Sequence, residues 1–434
     1  MTSRKGIIYS LLFLLFVMGA AFQTQVCEAK TYYPIIHKDC SVTFKVWAPK
    51  AKTVFLEGNF ITKETKNSSR RFLLKNDKIE MTEKDGWWVY TTPPLESEMY
   101  TYRFHVNGRK SITDPLNPNK LRDIDNHLNY FFIPGGIADD YIEKKVPHGE
   151  IIKVWYPSKL NKMTKRRMSI YLPPGYEKHR TRTYPVLYLL HGSGGDEDSW
   201  QDSGRAAQIL DNLIASGRCV PMIVAMPNGN VNLAAAPGED PGNPKVKPSG
   251  NNMESMFGAI EKVFMKEVVN YVEKEYRVRF GKKYRAIAGL SLGGLHTLYI
   301  SVNNPHSFDY VGLFSAQTSN AMTDRRIKNF RNIGEVIDNI KGIFPFLKRK
   351  DKENNSDLSI YENLNAKLNI QFSNPPQLYY IALGTDDFVK KLNDDFRSEL
   401  DARGYKYVYH ETDGGHTWNN WRKYLVDFLP RLFK

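Results

Sequence analysis

Between residues 30 and 134 apolar and polar positions alternate in short runs: SVTFKVWAP, TVFLEGNF, GWWVYTT and MYTYRFHVNG. A period of two sends successive side chains to opposite faces, so each run is a strand with one buried face. Strands separated by such frequent turns predict a β-sandwich of immunoglobulin type. The following stretch, IPGGIADDYIEKKVPHGE, is polar and broken by Pro and Gly, which predicts a linker over 135–150. From residue 151 the texture changes. Continuous apolar runs (YPVLYLL, VPMIVAM, YRAIAGL, YVGLFSA, LYYIALG) alternate with segments of helical spacing such as MFGAIEKVFMKEVVNYVEKEY and VKKLNDDFRSELDARG. Buried strands between amphipathic helices predict a mostly parallel sheet covered on both faces, with ligands beyond the carboxyl ends of its strands. Residues 318–372, between YVGLFSA and LYYIALG, are too many for a plain connection and predict an insertion with short helices over the site.

A chain of 434 residues exceeds one ordinary core, in keeping with two domains. The first residues stand apart from both. MTSRKGIIYSLLFLLFVMGAAFQ places Arg4 and Lys5 before an apolar run followed by small residues, the pattern of a signal peptide over 1–29, with cleavage between Ala21 and Ala29. The run falls short of the roughly 20 residues needed to span a bilayer, so a secreted or periplasmic protein without stable membrane insertion is expected. QTQVC lacks the small residues that lipid attachment at Cys27 would need. Cys40 and Cys219 lie far apart, so no disulfide framework is expected. The net charge of +14 is spread along the chain without a nucleic-acid motif, and reads as solvated surface or attraction to an anionic ligand.

The candidate chemistry begins at AIAGLSLGGLHTL, where Ser291 sits between Gly289 and Gly293 at a strand-to-helix junction. Such a serine is either a nucleophile on a sharp turn or a small residue where two elements meet. A hydroxyl nucleophile needs a base, and the base an orienting carboxylate. In α/β-hydrolases these follow in the order Ser, acid, His. LGTDDF ends a strand with Asp386 and Asp387, and HETDGGHTW carries His416 on a glycine loop, whereas His410 falls within a strand. An oxyanion site is also required. The glycine-rich LLHGSGGDEDSW and the residue after the nucleophile supply candidate backbone N–H donors at Ser193 and Leu292, with His191 as a packing residue. No Gly-Lys-Ser/Thr follows GSGG, and no His-Glu-x-x-His or cysteine cluster occurs, so neither a phosphate cradle, a metal nor another cofactor is expected.

Together VLYLLHGSGGDEDSW, PMIVAMPNG, YRAIAGLSLGGLHTL, FDYVGLFSA, LGTDDF and DGGHTWNNW resemble carbohydrate esterase family 1, especially the feruloyl esterases attached to xylanases. The resemblance runs from about residue 150 to the end. It implies an α/β-hydrolase acting on feruloylated or acetylated xylan and oligosaccharides, and it selects Asp387 as the acid although Asp386 replaces a usual Asn. FKVWAPKAKTVFLEGNF and YTYRFHVNGRKSITDPLNP resemble family-48 carbohydrate-binding or early-set immunoglobulin-like modules. Enterochelin esterases have a similar two-domain plan, which keeps siderophore hydrolysis as an alternative, and a non-catalytic glycan-binding protein is another. Trp418 and Trp421 follow His416 and are candidate substrate-binding aromatics, though either fits core packing. The resemblance places Trp421 beside the acyl pocket. Trp47, Trp87 and Trp88 fit a sugar-stacking platform or a core, with at least one of the adjacent pair expected inside. Every residue assigned to catalysis lies after position 190, so the first domain, a spacer or a pocket wall, is expected to contribute little to the chemical step.

Overall fold

The computed structural model describes residues 33–61, 78–108, 110–124, 126–160, 163–229, 258–318 and 358–434. The expected signal peptide and most of the 318–372 insertion lie outside the described residues. The amino-terminal part forms two sheets. One orders its strands Ile35–Ile36, Val42–Trp47, Trp87–Thr91 and Thr82–Lys84. The other runs Lys78–Glu80, Val54–Gly58, Glu98–Val106, Asn126–Ile133 and Lys120–Asp123, with Lys110–Ile112 paired to Glu98–Val106. Alternation does the work: Val42, Phe44 and Val46 turn inward from the first sheet and meet Leu56, Tyr102 and Phe131 from the second in one apolar cluster. The adjacent tryptophans divide as strand geometry requires. Trp88 is 6% exposed, while Trp47, opposite Trp87 in the register, is 54% exposed.

The carboxyl-terminal sheet has eight strands in the order Glu150–Ser158, Met163–Leu172, Ile223–Pro227, Val186–Leu190, Arg285–Leu290, Tyr310–Phe314, Leu378–Gly384 and Val408–Thr412. From Ile223–Pro227 onward every pairing is parallel, and the strands from there to Leu378–Gly384 are almost wholly buried. The first two strands pair antiparallel at one edge. They escaped the pattern of continuous apolar runs because Glu150–Ser158 is exposed at alternate positions. Helices Ala206–Ala215 and Trp418–Phe428 share an apolar cluster on one face, and Leu292–Asn303 lies in the cluster of the other. Leu364–Ser373, the described end of the expected insertion, packs against Leu292–Asn303 through Leu364 and Leu368.

The 135–150 segment is docked rather than free. Ala138 and Tyr141 are buried with Met99 and Leu128 of the first part and Trp200 and Trp421 of the second, so one core cluster crosses between them. Asn212 Nδ2 donates to the carbonyls of Asp140 and Ile142, at 3.0 and 2.9 Å. No helix among the described residues is long and apolar enough to cross a membrane.

Candidate active site

The strand Arg285–Leu290 delivers Ser291 at the carboxyl edge of the sheet, and the helix Leu292–Asn303 leaves immediately behind it. Ser291 has φ 53° and ψ −117°, a backbone conformation that only glycine adopts freely. The flanking glycines are required by space. A Cβ on Gly289 would lie 2.3 Å from the Gly293 carbonyl oxygen, and one on Gly293 would lie 2.4 Å from that of His191. The serine backbone N–H is tied to the Phe314 carbonyl at 2.9 Å, which pins the turn to the neighbouring strand. The N–H of Leu292, in the first turn of its helix, has no acceptor within that helix and remains available to an anion.

His416 lies on the loop between Val408–Thr412 and the helix Trp418–Phe428. That loop crosses the end of Leu378–Gly384 so closely that a Cβ on Gly384 would meet the Gly414 carbonyl oxygen at 2.2 Å. The crossing brings His416 Nδ1 to 3.0 and 3.2 Å from the two carboxylate oxygens of Asp387, while Nε2 stands 2.8 Å from Ser291 Oγ. Asp387 is only 4% exposed and also accepts the Val389 N–H at 3.1 Å. Burial raises its proton affinity, but the hydrogen bond and charge interaction with His416 outweigh it, and the carboxyl sits below its ordinary value. Asp386 is exposed and offers its backbone N–H to the Gly414 carbonyl. The two acids are thereby separated by position. Phe388 and Trp421 flank the His416 ring at 4.3 and 5.0 Å between centroids, Trp421 edge to face.

The loop after Val186–Leu190 faces this pair. His191 is buried, accepts the Gly229 N–H at Nε2 and donates from Nδ1 to the Gly192 carbonyl, both at 2.8 Å. Burial depresses its pKa to about 4, so the ring is neutral and structural. Ser193, with Gly192 and Gly195, lines the cavity in front of Ser291.

That cavity, about 630 Å³, is lined by residues of both domains. Asn59, Thr101, Arg103, Asp123, Ile124 and Asn126 form one wall and Ser291, His416, Trp418 and Trp421 the other. Trp421 is buried but borders the cavity. Trp418 donates from Nε1 to Asp123 at 3.1 Å and packs edge to face on Trp200 and Trp421. Arg422, in the same helix, is buried against Glu98 of the first domain at 2.9 Å and against the Ser203 carbonyl at 2.8 Å. The exposed Trp47 is not among the residues that line the cavity. The sequence singles out none of these wall residues: Thr101 and Arg103 lie within the strand Glu98–Val106, the others at turns or strand ends, and none carries a motif of its own.

The parallel sheet, the serine turn and the hydrogen-bonded His and Asp define the class: an α/β-hydrolase fold of the ester-hydrolase kind. The chain belongs to the family described as "Putative esterase", matched over residues 161–432, and residues 32–117 match carbohydrate-binding module 48 (isoamylase N-terminal domain). An endo-1,4-beta-xylanase/feruloyl esterase from Xylanibacter ruminicola is 31% identical over 300 residues, covering 66% of this chain and 36% of that protein. An acetyl esterase from Caldicellulosiruptor saccharolyticus is 25% identical over 256 residues, covering 57% of this chain and 83% of that protein. The chain spans little more than a third of the length of the first of these. Among solved structures, a CE1 ferulic acid esterase from Anaeromyces mucronatus in complex with ferulic acid is similar at 22% identity, covering 69% of this chain and 96% of that one, with a TM-score of 0.50. The enterobactin esterase from Shigella flexneri is similar at 15% identity over 91% of this chain and 94% of that one, with a TM-score of 0.57. These two likenesses are of fold.

Proposed function

We propose that the protein is an exported serine esterase that removes feruloyl, or alternatively acetyl, groups from xylan. The observation that carries this reading is the unbroken relay from Ser291 Oγ through His416 to the buried Asp387. His416 Nε2 takes the Ser291 proton as Oγ attacks the ester carbonyl, and Asp387 holds the ring and balances the imidazolium charge. The carbonyl oxygen becomes anionic and is bound by the backbone N–H groups of Ser193 and Leu292. His416 returns the proton to the departing sugar oxygen. A water, deprotonated by the same ring, then attacks the acyl-enzyme and releases the acid with Ser291 restored.

The aromatic frame of Phe388 and Trp421 around His416 supports a flat aromatic acyl group, as does the feruloyl esterase named among the relatives. The opposite wall carries Glu57, Glu96 and Asp123 with Asn59 and Asn126, a set suited to neutral sugar hydroxyls, while Arg103 is engaged by Glu57 and Asn126. The complete relay favours an enzyme over a glycan-binding protein. Ser291→Ala is expected to lower ferulate release from feruloylated arabinoxylan oligosaccharides at least about 10⁴-fold while the protein stays folded. Wild-type turnover in that variant, or release of catechol acid from a siderophore without action on the feruloylated sugar, would overturn the reading.

A further inference from the structure

The oxyanion loop is rich in glycine, with Gly192, Gly194 and Gly195 around Ser193, and Gly194 lies at φ +77°. Glycine lets backbone approach the reacting carbonyl, but it leaves the loop more conformations to choose from. Within the loop, the Gly195 N–H bonds back to the Gly192 carbonyl at 3.2 Å. Further restraint comes from the first domain. Its strands Lys120–Asp123 and Asn126–Ile133 form a hairpin whose tip reaches this loop. Arg122 pairs through a guanidinium nitrogen with Asp196 at the end of the loop, and its other terminal nitrogen donates to the Ile124 carbonyl at 2.9 Å. Asp196 is buried and also accepts the Asp198 N–H at 3.1 Å. Ile124 fills the space over Gly194, where a Cβ would meet three of its side-chain carbons at 3.1 to 3.3 Å. On the other flank Asp123 accepts from Trp418, which packs on Trp200, and Trp200 donates to the Leu190 carbonyl at 3.0 Å just before the loop.

We propose that this hairpin tip is a positioning element for the oxyanion hole: Arg122 and Ile124 fix the loop so that the Ser193 N–H points at the developing anion before substrate arrives. The proposal rests on the esterase reading, though not on the identity of the acyl group. Arg122 is a positioning residue and is not among those lining the cavity. A donor displaced from its place acts mainly on the transition state, where the charge is largest, so it lowers kcat and spares ground-state binding.

The test uses the full chain with Arg122→Ala, Arg122→Lys and Ile124→Ala, assayed on p-nitrophenyl acetate and methyl ferulate. Binding of an aryl boronic acid, which forms a tetrahedral adduct with the serine, is measured beside binding of ferulate. Ile124→Ala, at a residue that also lines the cavity, is expected to lower kcat on both esters; Arg122→Ala is expected to lower kcat by about ten- to a hundredfold on both with KM within about twofold. Boronate affinity should fall in parallel and ferulate affinity should hold, with Arg122→Lys recovering part of the loss. Unchanged kcat in a folded Arg122→Ala protein overturns the proposal, as does a loss confined to KM and ferulate binding. Wild-type activity on p-nitrophenyl acetate alone refutes the feruloyl assignment and leaves the brace to be judged on that ester. A wild-type protein inactive on both esters overturns both.

Discussion

The serine turn stores strain, and two inactive variants measure it. Ser291→Ala and Ser291→Gly both remove Oγ and its 2.8 Å hydrogen bond to His416, so that loss, about 1 kcal/mol, is common to the pair. They differ in the backbone. Alanine must still occupy φ 53°, ψ −117°, a conformation that costs a residue with a Cβ about 1–3 kcal/mol, whereas glycine adopts it freely. Against this, glycine gives the unfolded chain extra freedom worth about 0.4–1 kcal/mol. The difference favours Ser291→Gly by about 1 kcal/mol. Urea denaturation of both full-length variants, compared through midpoints at equal slope, reads it directly. If Ser291→Ala proves more stable than Ser291→Gly by about 0.4–1 kcal/mol, the turn is unstrained and the pinning by Phe314 and the two flanking glycines has no energetic counterpart.

Two further outcomes follow from the surroundings of the relay. Trp421→Ala should lower kcat/KM for methyl ferulate by about tenfold or more, since an aromatic contact worth about 0.5–1.5 kcal/mol is lost along with buried area. Activity on a small acetyl ester should fall much less, and equal losses in a protein with an unchanged unfolding midpoint would remove Trp421 from the acyl pocket. His191 supplies a pH dependence. Burial holds its folded pKa at about 4, below the roughly 6.5 of an unfolded histidine, so the unfolded chain takes up the proton first as pH falls. Its contribution to stability is full above about pH 6.5 and is lost as pH drops toward 4. Between pH 7 and 4.5 the wild type should lose about 2–3 kcal/mol more than His191→Asn in urea unfolding, and parallel losses would refute it.

Much of the site is legible in the chain because its chemistry depends on local spacing. Gly289, Ser291 and Gly293 sit within one turn, and the close approaches that demand glycine are encoded where they occur. The choice between Asp386 and Asp387 was not local. It depends on which of two adjacent side chains turns inward after Leu378–Gly384, and inspection of the residues alone left both open. The antiparallel edge was missed for a similar reason: Glu150–Ser158 is half exposed, so its pattern lacks the continuous apolar run that marks a buried strand. The docked 135–150 segment shows the limit of composition. Its Pro, Gly and charges read as a linker, and much of it is exposed, yet Ala138 and Tyr141 are buried in the core between the domains.

The contribution of the first domain was the least legible part, because it arises from pairs more than seventy residues apart. Arg122 meets Asp196, Asp123 meets Trp418 and Glu98 meets Arg422. None of these residues belongs to a motif, and each would be unremarked on its own strand or helix. Their partners, however, are not scattered. Asp196 ends the loop that carries Ser193, and Trp418 and Arg422 lie in the helix that begins just after His416. The first domain thus grips the two mobile-by-composition pieces of the site, the glycine loop on one side and the histidine loop with its helix on the other, and touches the cavity between them. A chain begun near Glu150 would lack the Glu98 and Arg122 partners and would open Arg422, Asp196 and the apolar surface around Trp421 to water. Both side chains would then be solvated, so what is lost is the docking restraint and the apolar burial shared through Met99, Leu128 and Tyr141. That loss would fall at the loops that carry Ser193 and His416, so the two domains are expected to hold the proposed catalytic geometry jointly even though the proposed reacting side chains come from one.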